Sequence, residues 1–319
     1  MISKNLIKFN ETIQKAHIIT ISSHVSPDGD AVGSSTALYL LLSRMGKEVY
    51  LIENDDYPSN LTFMDMNVSY TKGPGFESDL FIVTDVASID RIGSARSFFD
   101  KASKSLCIDH HKTNNGFCTD NIIEPHYSST CELVAELMLN GGYSIDPDIA
   151  SYLYLGIVTD TNRFQYESTS PQTLKIASSL IELKANRKKI HYHLYESLDV
   201  DYLMLQAKVI KEAISIKEGK FMVAKLSQKD LKQFNLDYDQ TDSLVSIIKS
   251  IEGVELVCLV KEEDKEKQKL SFRSKTSIDV AKLAQDFGGG GHIRAAGASV
   301  EGSLDDVFKE IISYIEGIE

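Results

Sequence analysis

Four short clusters of acidic and imidazole side chains carry the chemical information in this chain. HVSPDGDAVGS offers His24, Asp28 and Asp30; FIVTD ends in Asp85; LCIDHH ends in Asp109, His110 and His111; and GIVTD ends in Asp160. Gathering so many ionisable groups in one buried place is prohibitive unless cations neutralise them. The set mixes oxygen and nitrogen donors. Carboxylates suit magnesium and manganese, and imidazole moves the preference toward softer first-row ions, so manganese is the best match, with magnesium and cobalt as alternatives. Six ligands drawn from these clusters exceed what one ion with open positions can use. Two divalent ions about 3.5–4 Å apart, sharing one carboxylate, would use them all. Such a pair acidifies a water and clamps the attacking and leaving oxygens of a displacement at phosphorus.

Each cluster alone has an ordinary reading. HVSPDGD could be a turn rich in Asp and Gly, Asp85 or Asp160 a helix N-cap, and DHH a surface turn. Their succession along one α/β framework is what points to a site. HIITISS (17–23), KEVYLIEN (47–54), DLFIVTDV (79–86) and SLCIDHH (105–111) read as apolar strands. The helix STALYLLLSRM stops at Gly46, where a left-handed residue is wanted. STCE makes Ser129 an N-cap with Glu132 at N3, a capping box, and 148–160 reads as an apolar helix. Strands this apolar, separated by helices, imply a mainly parallel sheet with helices on both faces. In such sheets ligands collect at the carboxyl ends of the strands, where the clusters fall.

From about 172 to 213 the pattern is helical and increasingly charged. Strands then resume at 219–226, 254–262 and 269–275, with helices at 241–251, 279–287 and 304–316 and a charged turn at 262–269. The expected organisation is a metal-binding α/β domain over 1–185, a helical linker over 186–213, and a smaller α/β domain over 214–319 facing the first across a cleft. Gly288–Gly291 bring backbone amides close to any phosphate, and His292 and Arg294 add donors. The apolar helix before this run and the AAG after it favour an ordered loop over a flexible linker. Arg163 is a further candidate because it lies near Asp160.

Composition bounds the partners. Of 319 residues, 34 are Lys or Arg and 46 Asp or Glu, a net charge of -12, which disfavours sequence-independent binding of long nucleic acid. A short anionic substrate remains compatible with that balance. Cys107, Cys118, Cys131 and Cys258 are scattered and form no CxxC pair, which fits a reducing cytoplasm. Ile2, Leu6, Phe9 and Ile13 recur at helical spacing in place of a signal peptide, and no apolar run approaches the roughly 20 residues needed to span a bilayer. No membrane partner is expected, and a homodimer is left open.

Taken together, HVSPDGDAVGS, the VTD at Asp85, the DHH at 109–111 and the TDT at 160 resemble the DHH phosphoesterase superfamily. FRSKTSIDVAKLAQDFGGGGHIRAAG (272–297) resembles the associated C-terminal domain of one branch. A stand-alone chain of this size looks like the bacterial and archaeal nanoRNase/pAp phosphatase group. That resemblance implies hydrolysis of RNAs of two to five nucleotides and of 3′-phosphoadenosine 5′-phosphate (pAp) to AMP. It implies that His24, Asp28 and Asp85 hold one ion, and that Asp30, Asp85, His110 and Asp160 hold the other, with Asp85 bridging. His111 would face the scissile phosphate, and Asp109 would orient its histidine neighbours. Arg273 and the loop Gly289, Gly290, Gly291, His292 would contact the substrate. Asn162 stands where the family usually has glycine, and Asn also tolerates left-handed backbone. The alternatives are a pApA or cyclic-dinucleotide phosphodiesterase, a manganese pyrophosphatase, a longer single-strand exonuclease, and a non-catalytic nucleotide sensor.

Overall fold

The computed structural model describes residues 2–64, 68–275 and 278–318, so Thr276 and Ser277 of the 272–297 segment lie outside the described residues. The chain divides into two compact units, Met1–Ser197 and Leu198–Glu319. The first runs α1 (Ile2–Lys15), β1 (Ile18–Ser22), α2 (Gly29–Arg44), β2 (Glu48–Ile52), β3 (Tyr70–Thr71), β4 (Ser78–Thr84), α3 (Arg96–Phe99), β5 (Ala102–Asp109), β6 (Asp120–Ile123), α4 (Thr130–Asn140), α5 (Pro147–Asp160), α6 (Pro171–Glu182) and α7 (Arg187–His191). Its strands form one sheet in the order β3-β2-β1-β4-β5-β6, and every neighbouring pair is parallel. The chain begins at β1, builds outward to β3, then returns to place β4 on the other side of β1. That reversal leaves a crevice at the carboxyl ends of β1 and β4, where open α/β sheets bind ligands.

Alternation along the strands explains the layers. Ile19, Ile21, Leu80, Ile82, Leu106 and Ile108 bury one face against the helices that supply Phe9, Leu38, Leu137 and Leu153. Phe81, Val83 and Cys107 bury the other face against Ile92 and Phe98. The expected parallel α/β sheet is therefore present, with strand β6 as an addition that its polar sequence, DNII, had concealed. Helix α2 begins at Gly29, well before Ser35, because Asp28 caps it: the carboxylate accepts from the amides of Asp30 and Ala31 at 3.0 and 3.1 Å. Ser129 caps α4 as expected, accepting from Glu132 N at 3.0 Å. The reciprocal half of that box is displaced by one residue. The Glu132 carboxylate accepts from Ser128 N, Ser128 Oγ and Thr173 Oγ1 at 2.8, 2.6 and 2.9 Å, which satisfies it inside the core.

Helices α2 and α5 approach closely because glycines line their contact. A Cβ at Gly33 would lie 2.5 Å from Tyr152 O, and one at Gly156 would lie 2.2 Å from Cys131 Sγ and 2.6 Å from Asp30 Oδ1. This spacing sets the distance between Asp30, on the first turn of α2, and Asp160, on the last turn of α5.

The second unit contains α8 (Val200–Glu212), β7 (Ile214–Ile216), β8 (Phe221–Leu226), α9 (Gln228–Gln233), α10 (Leu244–Lys249), β9 (Leu256–Asp264), β10 (Lys267–Ser274), α11 (Val280–Gln285), β11 (Gly290–His292), β12 (Ala295–Glu301) and α12 (Leu304–Glu316). Residues 186–213 are shared between the units: Ile190 of α7 packs in the first core, and Leu205 and Val209 of α8 in the second. The second sheet runs β11-β12-β10-β9-β8-β7 and is antiparallel except where β8 pairs with β9. Cys258, Val260, Leu270 and Phe272 bury one face against Ile311 and Ile315 of α12. Val257 and Leu259 bury the opposite face against Leu205, Leu244 and Ile248. Among the described residues no helix is long and apolar enough to cross a membrane.

Gly156→Ala should lower the melting temperature through overpacking of about 1–3 kcal/mol, because its new methyl meets a sulfur and a carboxylate buried in the core. A thermal melt superimposable on that of the wild type would show that the α2–α5 spacing is not fixed by this contact.

Candidate active site

The clusters read from the sequence meet at the crevice of the first sheet. Ser22 pairs with Val83 and Thr84 with Ile108, so β1, β4 and β5 end side by side and deliver His24, Asp85 and Asp109 to one edge. Asp85 has a φ of 59°, a left-handed conformation that turns its carboxylate off the strand at a cost of about 1–2 kcal/mol. Its two oxygens face different imidazoles: Oδ2 is 3.6 Å from His24 Nε2, and Oδ1 is 3.6 Å from His110 Nε2. His24 Nε2 is also 3.9 Å from Asp28 Oδ1, while His110 Nε2 lies 3.5 Å from Asp160 Oδ2 and 4.0 Å from Asp30 Oδ2.

These separations are too long for good hydrogen bonds. They are the spacing of donors that share a cation. The histidine tautomers agree, because Nδ1 of His24 lies 2.8 Å from Val25 O and Nδ1 of His110 lies 3.3 Å from Tyr127 O. A carbonyl only accepts, so each Nδ1 carries a proton, and Nε2 is the ring atom turned toward the carboxylates, the one left to bind a cation once its own proton is displaced. Among the described residues, three groups could each hold a metal ion, with ligand atoms within 4.8 Å of one another: His24 with Asp28 and Asp85, Asp30 with His110 and Asp160, and Asp85 with His110 and His111.

Proton affinities report the same crowding. Burial lowers that of His24, but Asp85 and Asp28 outweigh it and push its pKa up to about 9. Burial and the charge of Asp85 push Asp30 up to about 7. Burial, then Asp30 and Asp85, hold Asp160 well above the usual carboxylate range. Asp85 moves the other way: against its burial, His24, His110 and His111 keep its carboxyl low. Asp85 thus stays ionised at the centre of a site with an excess of negative charge, and hard divalent cations with some affinity for imidazole fit that donor set.

Positioning groups surround the cluster, and apart from Asp109 they were not anticipated. Asp30 sits on the N-terminus of α4, where Thr130 N and Cys131 N donate to its two oxygens at 2.6 and 2.8 Å, and Thr130 Oγ1 donates to Asp85 at 3.1 Å. The STCE cap was the available signal, since a helix start is an anion site. Asp109 is fully buried; its Oδ1 accepts from His111 Nδ1 at 2.8 Å and from His110 N at 2.9 Å, and Asn114 Nδ2 donates to its Oδ2 at 2.7 Å. The loop carrying His24 is strapped by Asn54, which donates to Ser23 O at 3.0 Å, by Asp55, which accepts from Ser26 N at 2.9 Å, and by the Arg91 carbonyl, which accepts from Val25 N at 2.8 Å.

The remaining candidates are dispersed. Arg163 lies in the first unit, exposed, with its guanidinium 4.7 Å above the Tyr195 ring. In the second unit Arg273, Gly290 and Gly291 line a cavity of about 300 Å³ together with Lys269. Gly289, His292 and Arg294 are not part of that lining. Gly289 packs against β12, where a Cβ would meet Gly297 O at 2.1 Å; His292 pairs with Ala295; and Arg294 donates to Ile278 O at 3.2 Å. Gly290 and Gly291 therefore open the edge strand of a hairpin, where glycine lets β11 lie directly on β12, while Gly288 and Gly289 form the turn that leads into it.

Residues 18–157 match the DHH family N-terminal domain, and residues 218–317 match the DHHA1 domain. A bifunctional oligoribonuclease and PAP phosphatase NrnA from Mycoplasma pneumoniae is 31% identical, over 92% of this chain and 90% of its own. The protein of the same name from Thermus thermophilus is 29% identical, over 93% and 89%. The solved structure of an exopolyphosphatase-related protein from Bacteroides fragilis aligns with a TM-score of 0.89 at 28% identity, covering 98% of this chain and 97% of that one.

Manganese added to chelator-treated protein should raise its thermal stability, by about 2.7 kcal/mol at a hundredfold excess over Kd. Asp85→Ala should fold and lose most of that increment, as followed by calorimetry. An undiminished increment in the variant would remove Asp85 from the cation site.

Proposed function

The chain belongs to the DHH family of phosphoesterases and is a hydrolase, and on that premise we propose that it cleaves RNAs of two to five nucleotides and converts pAp to AMP with two divalent ions, manganese by preference. The reading is carried by the Asp85 carboxylate, whose two oxygens stand 3.6 Å from two different imidazoles and so join two cation-competent groups. His24, Asp28 and Asp85 would hold one ion; Asp30, His110 and Asp160 would hold the other with Asp85. When bound, such ions supply an acidified water and charge stabilisation at phosphorus.

The chain's own residues supply the rest. The Asp109 bond fixes the His111 ring through Nδ1, so the proton it can give to a leaving oxygen is the one on Nε2. Asn114 fixes Asp109 in turn, so that the orientation of the acid is set three residues deep. The amides at the start of α4 hold Asp30 while leaving its charge partly compensated. In the second unit, the Arg273 side chain and the glycine edge strand are the groups proposed to grip a nucleotide phosphate. A cavity of about 300 Å³ is the scale of a single nucleotide, which supports small substrates over long strands. The names of the relatives point to the same substrates. A reducing cytoplasm is the proposed compartment, in keeping with four unpaired thiols.

A panel of pAp, pApA, cyclic di-AMP, pyrophosphate and a 24-mer RNA, each with manganese and with chelator, tests the proposal by product analysis over time. Rapid metal-dependent release from pAp and short RNA is expected, with pyrophosphate and the 24-mer spared. Preference for pyrophosphate, or binding without turnover, would overturn it. In the same assay Asn114→Ala should lower kcat by roughly 10–100-fold with little change in manganese affinity, because it loosens Asp109 without touching a proposed ligand. An unchanged kcat would show that His111 does not depend on this chain of bonds.

A further inference from the structure

One charge in the second unit is out of place for a pocket that only holds phosphate. The floor of the cavity is the exposed face of β10 and β12. Lys269, Ser271 and Arg273 alternate along β10 on that face, and Ser271 and Arg273 pair with Gly297 and Ala295 on β12. The floor between the two cations is thus made of Ser, Gly and Ala, with no side chain tall enough to obstruct a flat ring. Beyond Arg273 the local field is positive as well: burial, then Arg273 and Lys275, hold the Lys249 ammonium below its ordinary value. Yet Asp242 also lines the cavity, and its side chain is 64% exposed.

The position of Asp242 is maintained by an unusual device. Lys261 lies opposite Lys269 on the neighbouring strand and is only 2% exposed. Its Nζ reaches Asp242 Oδ1 at 2.6 Å, Tyr238 O at 3.0 Å and Thr241 Oγ1 at 3.2 Å, and it sits 3.6 Å from the centre of the Tyr238 ring. Burying an ammonium is unfavourable unless such groups replace its water. The four contacts all fall on residues 238–242, so Lys261 clamps that short segment and fixes where the carboxylate stands. A carboxylate held at the rim of a cationic pocket repels a phosphate placed beside it. It accepts hydrogen bonds well from an amino group on the ring of a ligand whose phosphate lies across the floor at Arg273.

We infer that this cavity takes a nucleoside monophosphate moiety whose base carries an exocyclic amino group, with the phosphate at Arg273, the ring on the Ser271–Ala295–Gly297 floor, and the amino group on Asp242 at the Lys269 end. The inference rests on the proposed hydrolysis of small nucleotides and names the feature of the base that is read. Adenine presents a donor at its 6-position, whereas hypoxanthine presents a carbonyl that a carboxylate repels.

Isothermal titration of the full chain with AMP and with IMP tests it. The wild type should bind AMP on the order of tenfold more tightly than IMP, the scale of one hydrogen bond gained against one repulsion. Asp242→Asn, an exposed change whose amide can also donate to a carbonyl, should bring the two affinities close together by improving IMP binding. Equal wild-type affinities, or a variant that keeps the wild-type ratio, would overturn the inference. Manganese-dependent hydrolysis of bis(p-nitrophenyl) phosphate by the wild type is read separately. Hydrolysis without discrimination sinks only the role of Asp242, and discrimination without any hydrolysis sinks the proposed function.

Discussion

The constraint that organises the first unit is the mutual repulsion of carboxylates held a few ångströms apart. Asp28, Asp30, Asp85 and Asp160 each have a neighbour of like sign, and the fold compensates them unequally. Asp28 caps α2 and Asp30 accepts from the first two amides of α4, so two helix N-termini with their positive partial charge stand behind these two. Asp85 is surrounded by three imidazoles. Asp160 has the least support, since it lies on the last turn of α5, where the helix end is itself negative. The protein therefore leaves one side of the cluster short of positive charge by design of its helix directions, and that is the side a cation would satisfy.

Packing serves this electrostatic arrangement. Asp30 and Asp160 come from helices that would ordinarily lie 8–10 Å apart axis to axis. Gly33 and Gly156 let them approach, and Cys131 fills the space between with a small side chain. The parallel sheet sets the other distances, since the register of β1, β4 and β5 leaves their ends level. On that edge a single buried carboxylate, Asp109, ties together the His110 backbone, the His111 ring and Asn114. Nothing in this set is free to relax alone, which is how a site keeps its geometry before any ligand arrives.

What was legible in the sequence was whatever is local. The strands announced themselves by apolar runs, and the acidic and imidazole clusters by their places at the ends of those runs. Contacts between distant residues were not legible: Asp30 meets the amides of Thr130 and Cys131 a hundred positions away. Asn54 and Asp55 strap the His24 loop from the end of β2, yet read in sequence as one more polar turn. Asn114 follows DHH closely and could have been suspected from proximity alone. The glycine run misled in one respect. Its amides looked available for a phosphate loop, but Gly290 and Gly291 use part of their backbone in pairing with β12, and within the run only these two reach the cavity.

The backbone after Asp160 shows how a departure from the family pattern is absorbed. Asn162, Arg163 and Phe164 are all left-handed, with φ of 45°, 61° and 65°. Each such residue costs about 1–2 kcal/mol when it is not glycine, so the run must be held by its surroundings. Thr161 supplies one restraint, its Oγ1 accepting from Phe164 N at 3.0 Å, and Val158 O accepts from Arg163 N at 2.8 Å. The Arg163 guanidinium lies over Tyr195, and Phe164 packs against the main core. These contacts reverse the chain within a few residues, so α5 ends at Asp160 and cannot carry it past the crevice. Asn at position 162 is tolerated because it needs only the first of these left-handed turns, and the next two are fixed by a hydroxyl, a carbonyl and two aromatic rings.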